Sequence, residues 1–227
     1  MRMNDNQDYI TPVEAPEAPI EEEVEVRRSG KRNFEDEMPD LPAVLPVLPL
    51  RGVVVYPQTI LPLTVGQPRS VKLVDDVVGG DRLVVLVTSK DPELETPGPE
   101  DVYRIGTVAT IHRLFRAPDG TIRMVVQGIT RVRIDEFTAS EPYLKARITP
   151  IPEEVEESLE VEALTRNVAQ QLQRLSELIP GFPTEMATPL INAEDPLQLV
   201  YTVATYIRID LADAQMILEL DSAEAKL

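Results

Sequence analysis

The sequence predicts an α+β fold: a small β-rich domain carrying one short helix, followed by a run of helices. Three observations carry that expectation. Short apolar stretches bounded by Pro and Gly fill residues 45–151. An Asp-Gly step at 119–120 lies between two apolar segments, the favoured signature of a β-hairpin. After Pro152 the apolar spacing lengthens to three to five residues, the period of a helix lying on a core.

Residues 1–43 read as a disordered acidic leader. Pro12, Pro16, Pro19, Pro39 and Pro42 interrupt it, Glu21, Glu22 and Glu23 form a charge run, and little apolar surface offsets the entropy of ordering. LPVLPL (45–50) and TILPLTV (59–65) read as strands whose prolines suit edges and bends and oppose a central parallel strand. QPRSVKLVDDVV (67–78) changes period, placing Val71, Val74 and Val78 on one helical face, with Pro68 at the first turn and Gly79-Gly80 at the end. RLVVLVT (82–88) is a β-branched run suited to a buried strand.

A two-residue turn at Asp119-Gly120 sets Phe115 opposite Met124 and Leu114 opposite Val125. Alternation then puts Ile111, Phe115, Ala117, Ile122, Met124 and Val126 on the core face, with His112, Leu114, Arg116, Arg123, Val125 and Gln127 outside. RVRIDEF (131–137) and YLKARITPI (143–151) supply two further strands, giving a closed or nearly closed β architecture. Beyond it, Val155, Leu159, Leu164, Val168, Leu172, Leu175 and Leu178 mark a helix with Glu153, Glu154, Glu156 and Glu157 in its first turn and Pro180-Gly181 as its stop. Further helices are expected near 184–192, 196–207 and 210–220. MILELDSAEAKL continues as helix with nothing to close it, so the chain reads as one that stops short.

The net charge of −17 is uneven: −7 over residues 1–43, +1 over 44–152 and −11 over 153–227. Acidic flanks repel a phosphate backbone, so nucleic-acid binding by the whole chain is disfavoured. The absence of cysteine excludes disulfides and thiolate metal sites. No apolar run approaches the roughly 20 residues of a membrane-spanning helix, and the start has no apolar signal core; a cytoplasmic setting is the default expectation.

The search for chemistry ends empty. Neither G-x-x-x-x-G-K-[ST] nor G-x-G-x-x-G occurs, and the only Gly-Lys step, Gly30-Lys31, lies in the leader. One histidine cannot build a common zinc site, and Asp75-Asp76 and the glutamate runs read as solvated helix faces. A Ser-His-Asp triad would need His112, which sits mid-strand with no oxyanion loop beside it. None of the five lysines lies in a recognisable Ser-Lys motif. No catalytic, cofactor or metal residue is expected. What remains is surface: Leu114 and Val125, framed by Arg116, Arg123, His112 and Gln127, match the anatomy of a protein-binding patch. Simple packing beneath a loop explains the same pair.

LPVLPLRGVVVYPQTILPLTVGQPRSVKLVDD (45–76) resembles the start of the Lon protease amino-terminal domain, with Arg69-Ser70 matching its basic-Ser helix. The order Asp101, Tyr103, Gly106, Thr107, Ala109, then Pro-Asp-Gly, then a Gly followed by R-V-R-I, is similar to the same family. The likeness runs over residues 44–220. It implies a PUA-like small β-barrel over 44–152 and a helical subdomain over 153–227. It also implies a role: substrate recognition and homo-hexamer assembly, capturing unfolded or damaged proteins for a Ser-Lys peptidase driven by ATP and Mg. Those engines are expected further along such chains, so this chain alone is expected to be no enzyme. The proline-rich acidic leader departs from many bacterial members.

The expected client contacts are Leu114 and Val125 with Arg116 and Arg123, and Pro62 and Tyr56 as weaker candidates. A free-standing scaffold or receptor of the same fold is the alternative. RNA binding through Arg113, Arg116, Arg123, Arg131 and Arg133 ranks third, since no exposed aromatics offer a stacking platform.

Overall fold

The computed structural model describes residues 41–153, 155, 158–178, 195–207 and 209–227. The leader as far as residue 40, the stop at Pro180-Gly181 and the helix expected near 184–192 lie outside them. The described elements run β1 (Val44–Leu50), β2 (Ile60–Val65), α1 (Pro68–Val78), β3 (Leu83–Thr88), β4 (Ile105–Arg116), β5 (Ile122–Ala139) and β6 (Lys145–Pro150). The helices α2 (Leu159–Leu178), α3 (Pro196–Tyr206), α4 (Leu211–Glu219) and α5 (Ala223–Lys226) follow.

The strands form one mixed sheet in the order β2-β5-β4-β3-β1-β6, and β5 pairs with β6 as well, so the sheet closes on itself. Among the described strands, only β1 and β3 run parallel. The two strands expected at 122–127 and 131–137 are one strand of 18 residues. A register shift between Val108 and Ala109 carries β5 through Gly128-Ile129-Thr130 without a turn. Gly128 is required there because the Tyr56 carbonyl lies where a Cβ would stand.

Along one flank of β5, β2 takes residues 122–127 and β6 takes residues 132–139. β6 reaches across to β1 at Val44–Pro46, whereas β1 from Val47 to Leu50 pairs with β3 alone. This explains how β1 holds two prolines while taking a parallel partner, against the sequence expectation: each half of the strand has one side free. The barrel is thus closed at one end and open at the other, between β1 and β2. A groove of about 530 Å³ fills the opening, lined by Leu48–Arg51 and Leu61–Val65 among others. The Val47 amide bonds the Leu144 carbonyl and the Leu50 carbonyl accepts from Ser89, so alternation turns Pro49 toward the opening. Across the gap, Thr59 gives its carbonyl to Gly128 of β5, and the same alternation turns the backbone of Pro62 outward.

Helix α1 packs Leu73, Val74 and Val77 into one barrel core with Leu48, Leu63, Ile111 and Met124. Val71 and Val78 lie only half-buried at its margin, so the buried face is centred on Leu73 and Val74 and not on the three valines expected. A second core, including Val47, Val85, Val108 and Val132, fills the other end. A third joins the barrel to the helices through Val54, Tyr56, Leu197, Val200, Tyr201 and Leu218.

Helix α2 begins later than expected. Ser158 Oγ accepts the Val161 amide at 3.1 Å and caps it, so Val155 and Glu153 precede the helix and its first-turn acids are Glu160 and Glu162. Leu159 is 85% exposed. The last segment is not continuous helix: Leu220 is extended after α4, and Ser222 caps the short α5.

Candidate functional site

The β4–β5 hairpin turns on three residues, Pro118, Asp119 and Gly120. The Gly120 amide donates to the Ala117 carbonyl at 3.0 Å, and the Ala117 amide to the Thr121 carbonyl at 2.9 Å. Pro118 suits the second position of such a turn and Gly120, at φ 84°, its left-handed close. Asp119 accepts from the Thr121 amide and hydroxyl, and these bonds hold its carboxyl below the ordinary range. The extra residue moves the register, so that Leu114 faces Met124 and Phe115 faces Arg123. The expected pairs Phe115–Met124 and Leu114–Val125 do not form.

A bulge inverts the faces beyond His112. Ile111 pairs with Val126 and Arg113 with Val125, leaving His112 as the extra residue. Past this point Leu114 turns inward against the α1 core, and Phe115 turns outward, 63% exposed. Leu114 is therefore a core-lining residue and not half of an exposed pair; Phe115, assigned to the core, takes the outer position.

The outer face is built from cross-strand rows. Pro62 lies beside Val125 and Arg113, Thr64 beside Arg123 and Phe115, and Ile60 beside Gln127. Ile60 is 56% exposed. A shallow depression of about 360 Å³ runs over Pro62, Phe115 and Val125, with Arg113 and Arg123 at its sides and Leu114 below. Val125, Arg123 and Pro62 are thus brought together as expected. Arg116 is drawn away to Asp75 of α1, and Asp76 accepts from the Tyr143 hydroxyl, so these two aspartates are tied down. Sequence reasoning missed Phe115, Ile60 and Arg113; the Pro-Asp-Gly run was the available signal for the first, since Pro favours a three-residue loop there.

Tyr56 is no surface contact. It is fully buried, its ring stacked on Tyr201 at 5.1 Å and its hydroxyl donating to the Ala214 carbonyl at 2.9 Å. Burial raises its phenol above the ordinary value. Arg131 lies in the same joint, fully buried. Its guanidinium donates to the carbonyls of Leu218 (3.0 Å), Glu219 (3.2 Å) and Leu220 (2.6 Å) and to Asp221 Oδ1 (2.7 Å). Its Nε faces Glu153 Oε1 at 3.4 Å. Lys226 Nζ pairs with the same Glu153 oxygen at 3.3 Å and donates to the Ile217 carbonyl at 2.6 Å. Two cations therefore satisfy free carbonyls at the negative end of α4 and stabilise that end. Glu153 also accepts from the Tyr201 hydroxyl. Burial, with Glu153 beside it, raises the Tyr201 phenol, and burial pushes Lys226 down to about 8 despite Glu153.

The arginine cluster behind the RNA reading does not form. Arg131 is buried, Arg116 is tied to Asp75, and Arg133 pairs with Asp135 at 3.0 Å. Among the described residues no group of three His, Cys, Asp or Glu could hold a metal ion, and no helix is long and apolar enough to cross a membrane.

Comparisons with known proteins agree with the closed sheet and its helical extension. The model of the ATP-dependent protease La (LON) substrate-binding domain matches residues 44–227. Lon protease of Dictyoglomus thermophilum is 42% identical over 188 residues, covering 83% of this chain and 24% of that protein. Lon protease 1 of Herpetosiphon aurantiacus is 42% identical over 192 residues, covering 82% and 23%. The chain thus spans about a quarter of the length of these relatives. The N-terminal domain of Mycobacterium avium complex Lon protease has the same fold, with a TM-score of 0.62 at 22% identity over 81% of this chain and 93% of that one. The corresponding domain from Xanthomonas campestris scores 0.59 at 17% identity, over 81% and 94%. On the family match and these identities, the chain belongs to the substrate-binding domain family of the ATP-dependent protease La (LON).

Proposed function

We propose that residues 44–227 capture unfolded or damaged proteins for a Lon-type ATP-dependent protease and help assemble its homo-hexamer in the cytoplasm. The supporting observation is the outer face of β2, β5 and β4, where Ile60, Pro62, Val125 and Phe115 present apolar surface bordered by arginines. Exposed apolar segments are what unfolded clients share, and a modest apolar patch with a polar border reads them without a fixed sequence. Affinity for one copy is expected to be weak and to rise through multivalency when several copies act together. Peptide-bond cleavage, ATP and Mg belong, in this reading, to parts of the relatives beyond the matched quarter.

The test is binding of a permanently unfolded client to the full chain and to its Val125→Asp and Phe115→Asp forms. Binding should fall in both; thermal stability should stay within about 0.5 kcal/mol for the exposed Phe115, and the half-buried Val125 variant should remain folded. Unchanged binding by folded variants would remove this face from the function.

A further inference from the structure

We propose that this face selects apolar client segments flanked by carboxylates, with Arg113 and Arg123 as the specificity-determining residues. The inference rests on the capture reading above and names the class of client that the face prefers.

Among the arginines around the hairpin, charge is otherwise spoken for. Arg116 is paired with Asp75, Arg131 is buried against Glu153 and Asp221, and Arg133 is paired with Asp135. Arg113 and Arg123 are exposed, and among the described residues neither makes an ion pair or side-chain hydrogen bond. They flank Val125 on the outer rows, Arg113 beside it in its own row and Arg123 in the next, next to Phe115. Two acids near this face have other partners. Asp119, which feels the charge of Arg123, is held at the turn by Thr121, and Asp75 is occupied by Arg116. His112 is bonded to Gln127 on the same side.

Asp119 keeps its negative charge near Arg123, so Arg113 and Arg123 leave a net positive island on a chain of net charge −17. Charges more than about 10 Å away act on it only weakly at 0.1 M salt. An extended client laid across the rows would place its apolar side chains over Ile60, Pro62, Val125 and Phe115. Residues to either side then meet Arg113 and Arg123. Carboxylates there gain charge-assisted hydrogen bonds, and lysines meet like charge. Two such contacts, each weak in solvent, are expected to separate the two kinds of client by about tenfold.

The experiment uses the full chain and two fluorescent peptides with the same apolar residues, one flanked by Glu and the other by Lys. The Glu peptide should bind about tenfold tighter at about 0.1 M salt, with the gap narrowing as added salt screens it. The double exchange Arg113→Glu, Arg123→Glu should reverse the preference at unchanged thermal stability. Equal binding of both peptides, or preference for the Lys peptide, would overturn the charge selection while leaving capture intact. Binding of neither would overturn the capture reading itself.

Discussion

Arg123 and Arg131 stand eight residues apart on the same strand, and the structure gives them opposite lives. Arg123 lies in solvent on the outer face, free to meet a partner. Arg131 is fully buried and holds three carbonyls of the α4 terminus together with Asp221 and Glu153. The difference is set by what covers the strand. The first half of β5 lies between β2 and β4 with one face bare; farther along, Arg131 lies against the end of α4. A cation in the first place is exposed to whatever meets that face, and in the second it is a structural bolt.

The largest effect should come from Arg131→Met. It leaves Glu153 and the helix-end carbonyls without their main donor, and breaking a buried pair costs about 3–5 kcal/mol. In a chain of this size that lowers the midpoint by roughly 6–20 °C in a thermal melt. Arg123→Met should leave the melt unchanged, and equal shifts would erase the contrast between the two arginines. Next comes Leu114→Asp. An unpaired carboxylate at the edge of the α1 core should cost about 1–3 kcal/mol, whereas Phe115→Asp next to it should cost almost nothing and lose client binding. A melt showing the opposite order would mean that the bulge at His112 does not invert the faces.

The smallest effect is a pH dependence at the joint. Lys226 is pushed down to about 8 in the folded state, so between pH 8 and its ordinary value the unfolded chain binds more protons than the folded one. Stability from this group therefore increases as pH rises through that window and is lost as pH falls back through 8. Tyr56 and Tyr201, both raised, act in the other direction above their ordinary value near 10. Melts should thus rise modestly from pH 8 to about 9.5 and fall above 10, and Lys226→Met should abolish the rise. A flat wild-type profile would show that the ammonium is not held in the buried joint.

The strands, the short helix and the hairpin were legible in the sequence because each rests on local periodicity or on turn residues. The register was not. One extra residue in the turn and one at His112 are enough to exchange Leu114 and Phe115, and no periodicity of β4 announces where a bulge falls. The continuity of β5 was hidden for a similar reason: Gly128-Ile129-Thr130 resembles a turn until the Tyr56 carbonyl is placed against Gly128. Arg131 was the least legible of all. Its partners in α4 and beyond lie 87 to 90 residues away in sequence, so nothing near it distinguishes it from Arg133. The proposed patch was recognised by type, an apolar centre with arginines around it, and Pro62, Arg123 and Val125 of the expected residues lie together on it.

Pro49 and Pro62 face one another across the open end of the barrel. A sheet edge propagates by offering an incoming chain alternate donors and acceptors, and each proline keeps its acceptor but has a ring carbon where the donor should be. Under the proposed capture role, clients held a short distance away would bring sticky, extended segments at high local concentration. With both rims lacking a donor at mid-length, such a segment finds no ladder to extend, and the domain can handle aggregating chains without becoming the template on which they grow.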